Sequence, residues 1–510
     1  MNEPASKRPF GHLRTLSDPL ASAWQIVAVA LVVGVLTGLL RVPRSLAVDL
    51  PLSIRWTAAA SGVCLAILLD WLDRRLGLMN ALTPHLKLAC LGTVATSGIV
   101  FYVLRARLHW GDSAMLIGSL EAGVHRWNPR WLTGMVGLAY AYDPLRAVLP
   151  ATLFVTLVYI GLGCAGLLLL ASTLATIAEK RPVPFRVMFL VLASPATLLL
   201  FSGYLEIYAV PQFGVILFLW AGARMSFGNG RLGFGRFGLV TGFASLLYIG
   251  NLLLPAFGAM LSLARLSATQ PLDPRHAARQ FGRFTLGLAA AAYGSLCFVR
   301  GELILDAGRL VRALPWMLDV ATDVLRTEAT GASLRSVVPD ALSLTRARQW
   351  LETWSLYGYF GLLLAVAVLV LCVTDGSLRR ALLAECRRGY LPVLVGLAAV
   401  YLTVSYFKRP VMGFRDWDLF LYAAYPVNLI GAYLWLRLGS QAAAVGRMGA
   451  VFAVCAAAWG AMAYAYVNPL RPEWDALPGR RHVSAFETYD VMQRVAAPEL
   501  AAAGETTFLP

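Results

Sequence analysis

Long apolar runs recur along the whole chain and restrict its fold more than any other feature. One of them, Leu149–Leu170, reads LPATLFVTLVYIGLGCAGLLLL and holds no charge. Roughly 20 apolar residues in helical form cross the hydrocarbon core of a bilayer. In lipid, only helices and closed barrels satisfy every backbone N–H and C=O, and a barrel would show short alternating segments, which are absent. Composition points the same way: of 510 residues, 58% are hydrophobic and 14% charged, with a mean hydropathy of +0.65. A soluble domain is thereby excluded. The expected fold is all-α, a polytopic transmembrane bundle of about 11–13 spans, with amphipathic interfacial helices on the outer face.

The predicted spans are Ala21–Leu40, Trp56–Leu72, Leu88–Leu104, Leu149–Leu170, Val187–Phe201, Ile207–Gly222 and Phe237–Leu254. Further on come Pro255–Leu263, Phe284–Val299, Trp354–Val373, Tyr390–Tyr406, Leu419–Leu436 and Gly449–Tyr466. Phe237–Leu263 reads either as one helix broken at Asn251 and Pro255 or as two shorter ones. Trp131–Tyr142 is too short to cross and is expected to be interfacial or re-entrant. The first run follows Lys7, Arg8 and Arg14, is long for a signal-peptide core and lacks a clear cleavage site, so it reads as a retained helix. Residues 1–467 make one multi-pass membrane domain, with a short C-terminal tail at 468–510.

Charge sets the orientation. The formal net charge of +16 gathers in short loops beside apolar runs, which explains it by topology before nucleic acid. Lys7/Arg8/Arg14, Arg74/Arg75/Lys87, Lys180/Arg181/Arg186, Arg224/Arg231/Arg236, Arg265/Arg275/Arg279/Arg283 and Arg379/Arg380/Arg387/Arg388 fall on alternate loops and read as cytoplasmic. The parity requires Phe237–Leu263 to cross twice. Arg41, Arg44 and Arg55 count against the assignment. The large outer loops are then 105–148 and 300–353, the latter with the spacing of amphipathic helices.

Three charged stretches fall on that outer side. The first, Arg105 to Gly123, reads RARLHWGDSAMLIGSLEAG. Arg105, Arg107 and His109 mark the exit from lipid, and the apolar spacing after Asp112 is that of a surface helix. Asp112 there can take a proton from a substrate hydroxyl, and it can equally cap the helix; the two roles are compatible. The second is Glu206, at the reversal between two apolar runs, either a functional carboxylate or a solvated hairpin tip. The third joins Lys408 and Arg409 to Arg415, Asp416 and Asp418 at a helix entrance. These cations can clamp a phosphate or diphosphate while Asp416 orients Arg415; otherwise they form an ordinary charged cap. His109, Glu121 and His125 lack the tight spacing of metal ligands, and none of the seven cysteines forms a CxxC pair. There is no Walker A loop, GxSxG elbow or nucleotide-binding glycine pattern. Gly228–Gly235, in a basic inner loop, reads as a flexible turn.

A run ending in basic residues, a Gly-Asp (Gly111-Asp112) on the first large outer loop and interfacial helices after it resemble the GT-C superfamily of integral membrane glycosyltransferases. The turn Gly203–Tyr208 and the stretch Gly413–Asp418 are similar to segments of uncharacterised bacterial members. The resemblance covers about 88–436. It implies a polyprenyl-phosphate-sugar donor, an outer-face site in a bacterial plasma membrane and Asp112 in the catalytic carboxylate position. The enzyme would be a hexosyl- or pentosyltransferase with a glycan, lipid or protein as acceptor. Arg105, Arg107, His109, Glu206, Lys408, Arg409, Arg415, Asp416 and Asp418 would bind substrate. Membrane lipid is the other partner, and no nucleic acid is expected. Asp112 belongs to no Asp-x-Asp or Glu-x-Asp pair and two extra apolar runs precede its loop, so no cofactor is assigned and a divalent cation stays open. The rival reading is a transporter or lipid flippase, for which Asn251 and Pro255 are the best feature. No internal repeat accompanies them, and the ionisable residues sit at helix ends. A purely structural scaffold would leave the cation–carboxylate clusters unexplained.

Overall fold

Every element among the described residues is helical, and no strand occurs there. The computed structural model describes residues 113–123, 132–191 (without 180, 182 and 185), 201, 208–228, 232–268, 273–300, 350, 360–407 and 423–467, with scattered positions between 57 and 102. In chain order these form α1 (Ser113–Glu121), α2 (Leu132–Tyr142), α3 (Ala151–Ala178), α4 (Val187–Val191), α5 (Ala209–Phe227), α6 (Phe234–Leu246) and α7 (Leu254–Ser267). There follow α8 (Pro274–Arg300), α9 (Phe360–Thr374), α10 (Gly376–Cys386), α11 (Tyr390–Phe407), α12 (Ala424–Leu438) and α13 (Ala443–Val467).

Three of these helices, α3, α5 and most of α13, are long and apolar enough to cross a membrane. A fourth span results if α10 and α11, bent by 84° at their junction, are counted as one. The 28 residues of α3 extend about 42 Å, well over the ~30 Å of a hydrocarbon core. By contrast the 11 residues of α2 reach only about 16 Å, in keeping with the short run expected not to cross.

The core is built on α12. Every one of its residues, Ala424 to Leu438, is buried, as suits a helix that is apolar all round. Helices α3, α4, α5, α9, α10, α11 and α13 pack against it. The closest approach is to α9, where Gly361 and Gly431 meet: a Cβ on either would strike backbone of the other helix. Small residues at such crossings let two backbones come together. The buried Asn428 adds a specific tie, its Oδ1 accepting the Gly361 N–H at 3.1 Å. That N–H, in the first turn of α9, has no partner within its own helix.

Contacts at the helix ends fix their directions. Tyr425 donates to Gln212 Oε1 at 2.9 Å, joining the start of α12 to the start of α5. Glu179, directly after α3, pairs with Arg437 near the end of α12 at 3.0 Å, so all three helices run the same way. Tyr390, at the start of α11, donates to the Leu219 carbonyl in the second half of α5 and therefore runs against them. Early in α13, Gly449 packs on Trp435 late in α12, which reverses the chain again. Helices α6 and α7 form an antiparallel hairpin through the turn Ile249–Asn251, with Gly258 against Thr241 and Pro255 in the first turn of α7. Of the two readings of that region, the structure takes the two-helix one. The chain reverses there, but α6 and α7, of 13 and 14 residues, reach only about 20 Å each, short of the ~30 Å that the two crossings of the loop parity need.

These directions gather Arg181, Arg224, Arg265, Arg283, Arg388 and Arg437 at one end, here called the basic end; Arg181 donates to the Arg437 carbonyl at 3.2 Å and Arg265 to that of Ser226 at 3.4 Å. Four of the arginine loops assigned to one side by charge counting thus meet. Several boundaries differ from expectation, and two of them bear on the basic end. Helix α8 starts at Pro274, ten residues before the predicted Phe284, because its first turns form an amphipathic extension carrying Arg275, His276, Arg279 and Arg283. Of the stretch Gly228–Gly235, expected to be a turn, Phe234 and Gly235 belong to a helix. Gly235 already lies in α6, where it, Gly238 and Gly242 let α8 approach along Arg283, Phe284 and Leu288.

Candidate functional site

Arg105, Arg107, His109, Asp112, Glu206, Lys408, Arg409, Arg415, Asp416 and Asp418 all lie outside the described residues, as does His125. Their described flanks belong to one end of the bundle, opposite the basic end. Helix α1 opens one residue after Asp112. It is one-sided: Leu116 and Leu120 are buried, while Gly118 and Glu121 are exposed. Gly123 ends it in the left-handed region at φ 72°, the usual conformation of a residue just past a helix C-terminus. Arg146, just before α3, donates to the Leu120 carbonyl at 3.1 Å and pairs with Asp143 at 3.0 Å. A cation thus caps the negative end of α1 and ties it to the start of α3. Helix α2 rests on the same end, with Gly134 against Val210 of α5 and the Leu247 carbonyl, and Tyr140 edge-on to Phe298. At the end of α11, two residues before Phe407, Ser405 accepts from Trp350 Nε1 at 3.0 Å.

Beneath this surface lies a set of neutral polar side chains that sequence reasoning passed over, Asn251 excepted. Gln212 is fully buried; its Oε1 takes the Tyr425 hydroxyl, and its Nε2 has no hydrogen-bond partner among the described residues. Asn251 Nδ2 donates to the Pro211 carbonyl at 3.0 Å and to the Ala244 carbonyl at 3.1 Å. Ala244 is in the last turn of α6, so this amide closes a helix end, a structural duty that accounts for Asn251 without transport. Amides and a phenol can hold a ligand, but none is a base at neutral pH.

The charged cluster that is described sits at the basic end. Arg437, 3% exposed, donates from Nη1 to Glu179 Oε2 at 3.0 Å and to the Ile177 carbonyl at 3.2 Å. Its Nη2 reaches Glu385 Oε1 at 2.9 Å. Tyr433 donates to Glu385 Oε2 at 2.6 Å, and Arg388 bridges the two carboxylates, 3.0 Å from Glu179 and 3.5 Å from Glu385. Both guanidinium groups stand over the Phe227 ring, at 5.7 and 5.8 Å. Two cations and two anions neutralise one another, which is the condition for burying charge at all. Glu179 holds a backbone φ of 58°, a left-handed conformation that is costly outside glycine and is here secured by its two arginines. Burial acts to raise the Glu179 carboxyl, but hydrogen bonds and charge from Arg437 and Arg388 outweigh it and hold it below its ordinary 4.5. The arrangement clamps α3, α10 and α12 together.

Among the described residues no three His, Cys, Asp or Glu side chains gather as metal ligands, and the six described cysteines are free. Comparison of the chain with protein-family models, with curated proteins and with solved structures gives no match.

Proposed function

We propose that the chain is a multi-pass membrane glycosyltransferase of GT-C type, with about 11–13 spans and its basic end in the cytoplasm. Asp112 removes the proton of an acceptor hydroxyl as that oxygen attacks the anomeric carbon of a polyprenyl-phosphate-linked sugar. The C–O bond to phosphate breaks, the configuration inverts and the polyprenyl phosphate leaves. Arg105, Arg107, Lys408, Arg409 and Arg415 balance its charge, Asp416 and Asp418 orient those cations, and His109 and Glu206 contact the sugar.

The observation that carries this reading is α1. A one-sided helix, buried through Leu116 and Leu120, opens directly after Gly111-Asp112 and is fastened by Arg146 to the start of α3. The described flanks of the other two charged stretches belong to the same end, through Tyr208 before α5 and the bonded starts of α5 and α12. The rival transporter reading rests on the break at Asn251 and Pro255, where the Asn251 amide donates to the end of α6.

The test is Asp112→Asn in purified protein given a polyprenyl-phosphate sugar. Asn keeps the size and the capping ability of Asp but cannot act as a base, so turnover should fall ~10²–10⁴-fold with expression and donor binding retained. Arg415→Ala should weaken donor binding as well as slow transfer, because a cation beside phosphate stabilises ground and transition states alike. Near-normal turnover by Asp112→Asn, or turnover with a nucleotide sugar alone, would overturn the proposal.

A further inference from the structure

At the basic end, between the end of α5, the start of α6, the end of α7 and the start of α8, lies a cavity of about 330 Å³. Met225 and Leu266, both buried, form its floor, and Leu232 and Phe234 its apolar sides. Its polar lining is Arg265, His276, Gln280 and Arg283, with no carboxylate.

The arginines here are placed unlike those of the neighbouring cluster. Arg437 and Arg388 are neutralised by Glu179 and Glu385. Arg265 spends one long bond of 3.4 Å on the Ser226 carbonyl, and Arg283 one of 3.3 Å on Gln280 Oε1. Neither meets a carboxylate among the described residues. Each guanidinium has five N–H donors, so most of their bonding capacity faces the cavity or solvent. Helix α6 adds to the field: Gly233, its N-cap, lines the cavity and makes no side-chain cap, and no acidic residue stands in the first turn. The first N–H groups of that helix are therefore uncapped at its positive end. Three independent sources of positive potential converge on one space with greasy walls.

We propose that this cavity binds a phosphate group of net negative charge, with Arg265 and Arg283 as its clamp. Guanidinium groups match phosphate oxygens in geometry and charge, and a helix N-terminus favours the same anion. The volume is several times the roughly 30 Å³ share of a water molecule, so carbons adjoining the phosphate fit beside Met225 and Leu266. Two sources carry this chemistry: the head group of an anionic bilayer phospholipid, or a soluble phosphate compound. The site lies at the opposite end of the bundle from α1 and stands independently of the catalytic proposal.

The experiment compares thermal unfolding midpoints of the full chain in nanodiscs of phosphatidylcholine alone, of phosphatidylcholine with phosphatidylglycerol, and of phosphatidylcholine with added inorganic phosphate. A higher midpoint with phosphatidylglycerol only makes the ligand a lipid; a higher midpoint with phosphate in the neutral discs makes it soluble; both outcomes support the site. R265Q/R283Q should lose the shift, since each charge-assisted contact is worth roughly ten- to a hundredfold in affinity. G233L keeps every charge and fills the cavity. Gly233 has φ −66°, open to any residue, and no heavy atom near its missing Cβ. It should lose the shift too, which separates a filled cavity from a changed net charge or a failure of the double variant to fold. R275Q/R279Q, on the exposed side of the same helix, should keep it. No shift in the wild type under either condition, a shift that survives in G233L, or one lost equally in R275Q/R279Q would overturn the proposal.

Discussion

Replacing Arg437 by Met tests what holds the basic end together. Met is of similar length and apolar, so the variant removes charge while leaving most of the volume filled. The loss falls on Glu385, which is 5% exposed and keeps only the Tyr433 hydroxyl at 2.6 Å and the long 3.5 Å contact of Arg388. Glu179 is less affected, being open to solvent and retaining Arg388 at 3.0 Å. Breaking a buried pair by removing one partner costs about 3–5 kcal/mol, and the residual Arg388 contact puts the expected value near the lower limit, about 3 kcal/mol. Adding Glu385→Gln removes the orphaned charge while keeping an acceptor for Tyr433, so the double variant should recover about 2 kcal/mol of that loss. Denaturant unfolding of the detergent-solubilised protein, followed by tryptophan fluorescence, measures the cycle. A single variant within about 0.5 kcal/mol of wild type, or a double variant no better than the single, would show that Arg437 is not held by its carboxylates.

Glu179 titrates below its ordinary 4.5, so its contribution to stability is complete above that pH and is lost as pH falls through the depressed value. Glu179→Gln should therefore flatten the acid limb of the stability profile and leave the neutral limb's slope unchanged. Asp375 caps α10, accepting from the N–H groups of Ser377 and Leu378 at 2.9 and 3.0 Å and from the Ser377 hydroxyl at 2.6 Å. Asp375→Ala should cost about 0.5–2 kcal/mol, read as faster hydrogen exchange over α10, and Asp375→Asn much less. Gly431→Val should cost more than about 3 kcal/mol in the same unfolding assay, because the added carbon meets the backbone of Gly361 rather than a side chain that can turn away.

Much of the fold is legible in the residues because a bilayer-length apolar run admits few structures. Leu149–Leu170, Ile207–Gly222, Tyr390–Tyr406 and Gly449–Tyr466 each overlap most of a helix found there. The break at Asn251 and Pro255 and the shortness of α2 were equally readable. The basic-end cluster was not. Arg437, in LWLRLGS, looks like a cation leaving an apolar helix for water, and its partners lie 52 and 258 positions away. Only the packing around α12 turns that arginine inward. The 84° bend between α10 and α11 is hidden for a similar reason: Arg379 and Arg380, which look like loop charges, belong to a helix lying across its successor. Gly235 reads as part of a turn because glycine is a poor helix former, and the gain from bringing α6 onto α8 is invisible in local sequence. The stretch around Asp112, proposed above as catalytic, rests on local chemistry, a carboxylate near arginines and a one-sided helix, and of these only the helix is described.

The burial of α12 has a bearing on how the chain is made. Synthesis proceeds from the N-terminus, so α3, α5 and α9 emerge before the helix they all pack against. Until Ala424–Leu438 arrives, the groove that will enclose it stands open, Glu179 holds its unfavourable backbone with neither Arg437 nor a finished neighbour, and Glu385 faces apolar surface without its guanidinium. Maturation is therefore gated late, by a single segment within the last fifth of the polypeptide. A ribosome stalled before that point would leave a product with lateral openings in the bilayer, recognisable to membrane quality-control proteases. One stalled far enough past Leu438 for α12 to have left the exit tunnel would hold the assembled cluster. The transition from degradable to durable nascent chain should accordingly be abrupt and fall in that window.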